Sequence, residues 1–162
     1  MLHIRDVRSN DLQICSAIEM ECYPPAEAAS SENVNKRIEM FPEGFLVLEL
    51  ESQVIGFVNS GATNKDDISD EAFKALIGHE PTGKNMVIFS VAIQPSFQGN
   101  GYSKLLLDSF IDRARQLDKS RILLLCKKNL VSFYERFAFQ NCGQSSSRHG
   151  GARWTEMRLV LK

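Results

Sequence analysis

Val91-Ala92-Ile93-Gln94-Pro95-Ser96-Phe97-Gln98-Gly99-Asn100-Gly101-Tyr102-Ser103 joins an apolar strand to a long amphipathic helix through a loop with two glycines. The strand side, Met86 to Ile93, is almost continuously apolar, the pattern of a strand buried on both faces, and Pro95 stops it. Leu105, Leu106, Phe110 and Ile111 then recur at helical spacing to about Leu117. The first turn of a helix has unpaired N–H groups and a partial positive charge, which suits a phosphate. Glycine lets the backbone come close to such a group and adopt positive φ. The loop is neither a Walker loop nor a dinucleotide fingerprint: it has no Gly-Lys-Ser/Thr, and Lys104 stands where a third glycine would be needed.

The rest of the chain alternates strands and helices. Leu2 to Val7 alternates apolar and polar residues like a half-buried strand. Asn10-Asp11 caps a helix that runs through Leu12, Ile14, Cys15, Ile18 and Cys22 to Pro24-Pro25. Glu27 to Met40 reads as a second helix, and Phe45–Leu50 with Val54–Ser60 as a hairpin. Residues 64–83 form a long polar connection with a helical patch from Asp70 to Ile77, a place for function to reside. Arg121 to Cys126 is a second buried strand, and Asn129 caps a short helix through Phe137. Phe139–Ser145 and Trp154–Leu161 read as an antiparallel pair, joined by a Ser- and Gly-rich loop. This is an α/β chain with a mixed sheet.

The chain has 162 residues, 43% hydrophobic and 24% charged, which predicts one domain over residues 1–162 with a real core. Nineteen Lys and Arg nearly cancel twenty Asp and Glu. Without a basic stripe, no nucleic-acid partner is expected. No apolar run approaches the roughly 18 residues of a membrane span, and no signal-peptide pattern opens the chain. The expectation is a cytoplasmic protein with no membrane partner, a monomer or homodimer. Cys15, Cys22, Cys126 and Cys142 form no Cys-x-x-Cys, so reduced thiols and no metal are expected.

Gln98-x-x-Gly101-x-Ser103 resembles the Gln/Arg-x-x-Gly-x-Gly/Ala loop of the GNAT N-acetyltransferases, with Ser in the last small position. Leu130-Val131-Ser132-Phe133-Tyr134-Glu135-Arg136-Phe137-Ala138-Phe139 follows where that family has a short helix carrying Tyr, with Ala138 for the usual Gly. Cys126, Ile18-Glu19-x-Glu21, Phe41-Pro42-Glu43, His79-x-Pro81-x-Gly83 and Thr155-Glu156 are similar to arylalkylamine N-acetyltransferases. Val87 and Phe89 stand where the vertebrate enzymes carry a His-x-His pair, so the resemblance is to the non-vertebrate branch.

That resemblance implies a GNAT-like α/β/α sandwich around a mixed, splayed sheet of about six or seven strands with about four helices. It implies acetyl-CoA as co-substrate, with no metal, and a small primary amine as acceptor, either an arylalkylamine or a polyamine, in a direct transfer. The pyrophosphate would rest on Gln98, Gly99, Asn100, Gly101, Tyr102 and Ser103. The pantetheine would pair with the backbone of Val91 and Ile93 like an added strand. Asn129 and Phe133 would complete the cofactor site.

Tyr134 is the expected proton donor to the leaving thiolate. Glu21, His79 and His149 are candidates to take the proton from the amine, with Glu21 and His149 preferred. Glu27, Asp66, Asp67, Asp70 and Glu71 would attract a cation. Phe45, Phe57, Phe89 and Trp154 are either core or walls of an aryl pocket. Lys127, Lys128, Arg148 and Arg153 read as solvated charges. A protein N-terminus or lysine as acceptor would require an open groove, and a non-catalytic acyl-CoA sensor would need no proton donor.

Overall fold

The computed structural model describes residues 1–162. Seven strands form one sheet in the order β1-β2-β3-β4-β5-β7-β6. They are β1 (Leu2–Asp6), β2 (Leu46–Leu50), β3 (Gln53–Thr63), β4 (Asn85–Ile93), β5 (Arg121–Cys126), β6 (Gln140–Gln144) and β7 (Thr155–Val160). Four α-helices flank it: α1 (Leu12–Cys22), α2 (Ser31–Met40), α3 (Tyr102–Gln116) and α4 (Val131–Glu135). Only β4 and β5 pair in parallel, with α3 as their crossover.

Side-chain alternation along the strands builds the two faces. Leu46, Leu48, Val58 and Met86 join Leu106, Leu107 and Phe110 of α3 in one buried cluster. Val47, Phe57 and Ala92 join Cys15 and Ile18 of α1 and Val34 and Ile38 of α2 in another. The sheet is thus covered on both sides, as an α/β/α sandwich.

The element order follows the sequence reading, with local differences. The second helix begins at Ser31 rather than Glu27, because the Ser30 side chain accepts from the Asn33 amide and fixes the start there. Asn129 caps no helix; it lies in a 3-10 turn, Lys128–Leu130, that leads into α4. The buried face of α3 is Leu106, Leu107, Phe110 and Ala114, whereas Leu105 is 39% exposed. Phe45 and Phe57 are core, with ring centroids 5.5 Å apart. All four cysteines are free thiols.

Two irregularities shape the centre. The β3–β4 register shifts between Asn59 and Ser60, whose partners are Ser90 and Ile88, so Phe89 is the extra residue of a bulge. The β4–β5 ladder covers only Asn85–Ile88 against Arg121–Leu124. Beyond it β4 continues to Ile93 beside β3, while β5 continues to Cys126 beside β7. The strands therefore part, and a cleft opens between Phe89–Ile93 and Leu125–Cys126.

Candidate active site

The cleft leads into a cavity of about 530 Å³. Its walls come from β4 and β5, the end of α1, the α1–α2 turn, α4 and the connection after β3. Tyr134, His149, Val91 and Asn129 line it, whereas Glu21, Phe133, Ile93 and Gln98–Ser103 do not.

Tyr134 is 7% exposed, and its ring packs edge-on against Phe133 and Phe139. Its hydroxyl opens into the cavity and has no hydrogen-bond partner in the chain. Burial, with a smaller effect from the neighbouring Cys126 thiol, pushes the phenol above its ordinary range, so it holds its proton. Burial also raises the Cys126 thiol, to about 11, so no reactive thiolate stands there at neutral pH.

Val91 presents its carbonyl and amide to the cleft, but both are occupied. The Tyr23 hydroxyl donates to Val91 O at 2.9 Å and accepts from Val91 N at 3.2 Å. The Ile93 carbonyl likewise accepts from Cys22 Sγ at 3.1 Å and Gln98 Nε2 at 2.9 Å. The end of α1 thus holds the strand groups that an added strand would use.

At the far end of β4 the loop turns through Gly99 and Gly101, with φ of +84° and +79°, and Gly101 is the N-cap of α3. None of the backbone amides from Gly99 to Lys104 donates to another group of the chain. They form a concentrated set of free donors at a helix start, suited to an anionic phosphate.

Three candidates take other places than expected. Glu21 is exposed and outside the cavity. Two helical positions rotate by about 200°, so Glu19, not Glu21, faces inward. Phe133 lies outside the cavity too, with the Phe137 ring edge-on to it. His79 lies outside the cavity, where its Nδ1 accepts from the Ala62 amide and its ring meets Phe41 edge-on.

His149 reaches the rim, where Nε2 lies 2.8 Å from Glu27 O and Nδ1 2.5 Å from a Glu71 carboxylate oxygen. Both neighbours are acceptors, so the chain itself occupies both ring nitrogens in this arrangement. The ring ties three loops together and is steadied by Trp154, whose Nε1 donates to His149 O at 3.0 Å.

Of the acidic residues, Glu27, Asp70 and Glu71 line the cavity. Asp66 pairs instead with Arg121 at 2.9 Å, and Asp67 accepts from the Ser69 amide. Lys127 is not a merely solvated charge: it lines the cavity and pairs with Glu27 at 2.8 Å.

Glu19, named in the sequence only within the Ile18-Glu19-x-Glu21 motif, and Arg37 and Tyr23, not named there, also line the cavity; Glu19 and Arg37 are both 2% exposed. Helical position is the local signal for Glu19 and Arg37. Glu19 falls next to Ile18 on the buried face of α1, and Arg37 next to Ile38 on that of α2. No group of three or more His, Cys, Asp or Glu side chains is placed to hold a metal ion, and no helix is long and apolar enough to cross a membrane.

Residues 12–139 match the Acetyltransferase (GNAT) family. A serotonin N-acetyltransferase from Mesocricetus auratus is 24% identical over 132 residues, covering 81% of this chain and 62% of that protein. A probable hydrolase, YhcX, from Bacillus subtilis is 27% identical over 130 residues, covering 75% of this chain and 25% of that protein. The chain thus spans less than two thirds of either relative. The crystal structure of the loading GNATL domain of CurA from Lyngbya majuscula superposes with a TM-score of 0.89 at 17% identity, covering 99% of this chain and 98% of that one.

Proposed function

The chain belongs to the acetyltransferase (GNAT) family, and from that premise we propose that it moves an acetyl group directly from acetyl-CoA to a small primary amine. The observation that carries this reading is the unpartnered Tyr134 hydroxyl, facing the cavity where β4 and β5 part.

The free amides of Gly99 to Lys104 receive the pyrophosphate. Val91 and Ile93 guide the pantetheine once Tyr23 and Cys22 release them. Asn129, at the opposite wall, belongs to the same channel. The ammonium loses one proton to solvent and the neutral amine attacks the thioester carbonyl; the C–N bond forms, the C–S bond breaks, and the nitrogen gives up a second proton to solvent as the amide forms. Tyr134 gives its proton to the departing thiolate and regains one from solvent. The Val91 amide, freed of Tyr23, is a strand donor for charge building on the carbonyl oxygen. With Cys126 kept as a thiol by burial, direct transfer needs no acyl-cysteine.

A small acceptor is favoured over a protein because the 64–83 connection walls the cavity. Ile68, Phe73 and Lys74 line it, and Arg37 holds that segment by donating to Lys74 O at 3.0 Å. The test is an amine screen with acetyl-CoA that follows free thiol and acetylated product together. Stoichiometric appearance of both with small amines supports the reading. Thiol release without acetylated amine, or acetylation only of peptides, would overturn it.

A further inference from the structure

The cavity wall holds a lysine whose ammonium the chain leaves unused. Arg37 donates to Lys74 O from Nε at 3.3 Å and from a terminal nitrogen at 3.0 Å, which pins the backbone of this residue to α2. The Lys74 ammonium itself makes no hydrogen bond or ion pair within the chain. It carries three N–H donors, and leaving a half-buried ammonium unpaired is costly. Lys119 shows the contrast: it is buried too, and its Nζ donates to Pro81 O at 2.7 Å and Gly83 O at 2.6 Å. Lys127, the other lysine of the cavity wall, pairs with Glu27. Lys65 and Lys128 have no side-chain partner either, but both are exposed and lie outside the cavity.

The charge on Lys74 interacts with Glu71, Arg37 and Glu19, each of which lines the cavity, so the ammonium stands on its inner wall. Burial holds it below the ordinary lysine range; Arg37 adds to that, while Glu71 and Glu19 oppose it. At a given pH more of it is neutral amine than of an exposed lysine. Phe73 and Phe89, with ring centroids 5.4 Å apart, keep this wall apolar. Phe89 is the bulged residue of β4, the strand that also carries Val91, and Val91 and Tyr134 line the same cavity. A primary amine, tethered by its own backbone, thus shares one cavity with the groups of the transfer step.

We propose that Lys74 is a self-acetylation site: with no amine bound, its Nζ takes the acetyl group from acetyl-CoA in the cleft, and the acetyl-lysine then obstructs the acceptor cavity. This rests on the acetyl-transfer reading above. The ammonium loses one proton to solvent, and the neutral Nζ attacks the thioester carbonyl. The C–N bond forms and the C–S bond breaks. Tyr134 protonates the departing thiolate and regains a proton from solvent, and Nζ gives up its second proton to solvent as the amide forms. The product has lost its charge and gained bulk beside Phe73 and Phe89, where an acceptor would lie.

The experiment incubates the full chain with acetyl-CoA in a buffer free of amines and follows acetyl groups per chain by intact mass and peptide mapping. The expected label is one acetyl group, on Lys74, at an initial rate per chain that does not change with protein concentration. It should form at least about tenfold faster than label on Lys65 or Lys128. Tyr134→Phe should slow it by about 10²–10⁴. Lys74→Arg should remove it, with acetyl-CoA affinity by calorimetry unchanged. Amine turnover should fall as label accumulates in the wild type, whereas the same preincubation should leave the turnover of Lys74→Arg where it started. Label spread evenly over exposed lysines, or Lys74 unlabelled in a chain that acetylates amines, would overturn the proposal and leave the amine reading standing. Label on Lys74 with no added amine acetylated would support it and overturn the small-amine acceptor. Full label with undiminished amine turnover would overturn the obstruction. Tight acetyl-CoA binding with neither Lys74 nor any amine acetylated would overturn both readings.

Discussion

The Tyr23 hydroxyl satisfies both backbone groups of Val91 at once, donating to its carbonyl and accepting from its amide. If pantetheine takes those groups, it must displace Tyr23. Tyr23→Phe should then lower the melting temperature of the free protein, since an unpaired buried amide or carbonyl costs about 1–3 kcal/mol. The same change should tighten CoA binding and enlarge the thermal shift that CoA produces. Calorimetry giving weaker CoA binding in Tyr23→Phe would show that the phenol belongs to the bound state instead.

Tyr134→Phe keeps the ring packing and removes the proton. Both kcat and kcat/KM should fall by about 10²–10⁴, with acetyl-CoA affinity unchanged. Burial raises this phenol above its ordinary value near 10, so it stays protonated through about pH 9, and the wild-type rate should show no alkaline decline below that. A Phe variant with wild-type kcat would make the phenol merely structural.

Gly101 has a φ of +79°, and a Cβ there would meet nothing within 4 Å. A side chain is therefore opposed by backbone conformation, not by crowding, at about 1–2 kcal/mol. Gly101→Val should relax the loop and turn its amides off aim, weakening CoA at least about tenfold. Asn100→Ala, which loses an exposed bond to Phe97 O, should change CoA affinity less than about threefold. Unaltered calorimetric affinity in Gly101→Val would remove the loop from the cofactor site.

Asp11 is paired with Arg5 through two bonds, 2.8 and 3.0 Å, and accepts from the Arg8 amide at 2.7 Å. Burial alone would raise its pKa, but the Arg5 pair and the Arg8 amide outweigh that and hold it below the usual range. A depressed folded value means the stabilisation is present above the unfolded value, near 3.9, and is lost as pH falls through the folded one. Asp11→Asn should cost about 3 kcal/mol at pH 7 yet show a flatter loss of stability below pH 4. Chemical denaturation of both proteins across that range checks it; parallel curves would exclude the linkage.

The elements were legible because their signals are local. Pro24-Pro25 and Pro95 end elements, and the short, mostly apolar runs 86–93 and 121–126 read as buried strands. The glycine loop was legible for the same reason, since strand, glycines and helix are contiguous. The cavity was less so, because its walls come from distant segments. Glu19 and Glu21 differ in role through helical phase alone, and nothing local distinguishes them. That Tyr23 reaches Val91, or that His149 bridges Glu27 and Glu71, depends on how α1 and two loops meet over the sheet. Lys127 reads as solvent-facing until the turn carrying Glu27 is folded over it.

The short ladder between Asn85–Ile88 and Arg121–Leu124 makes the sheet two stiff panels joined along a brief seam. One panel carries β1–β4 and the other β5–β7, with α3 tying them from outside. Any rod-like molecule lodged past the seam acts as a splint, holding the panels at a fixed opening. On this mechanical view, a cofactor fragment long enough to bear on both panels stiffens the whole molecule. A shorter fragment fills space on one side and leaves the other panel free to swing.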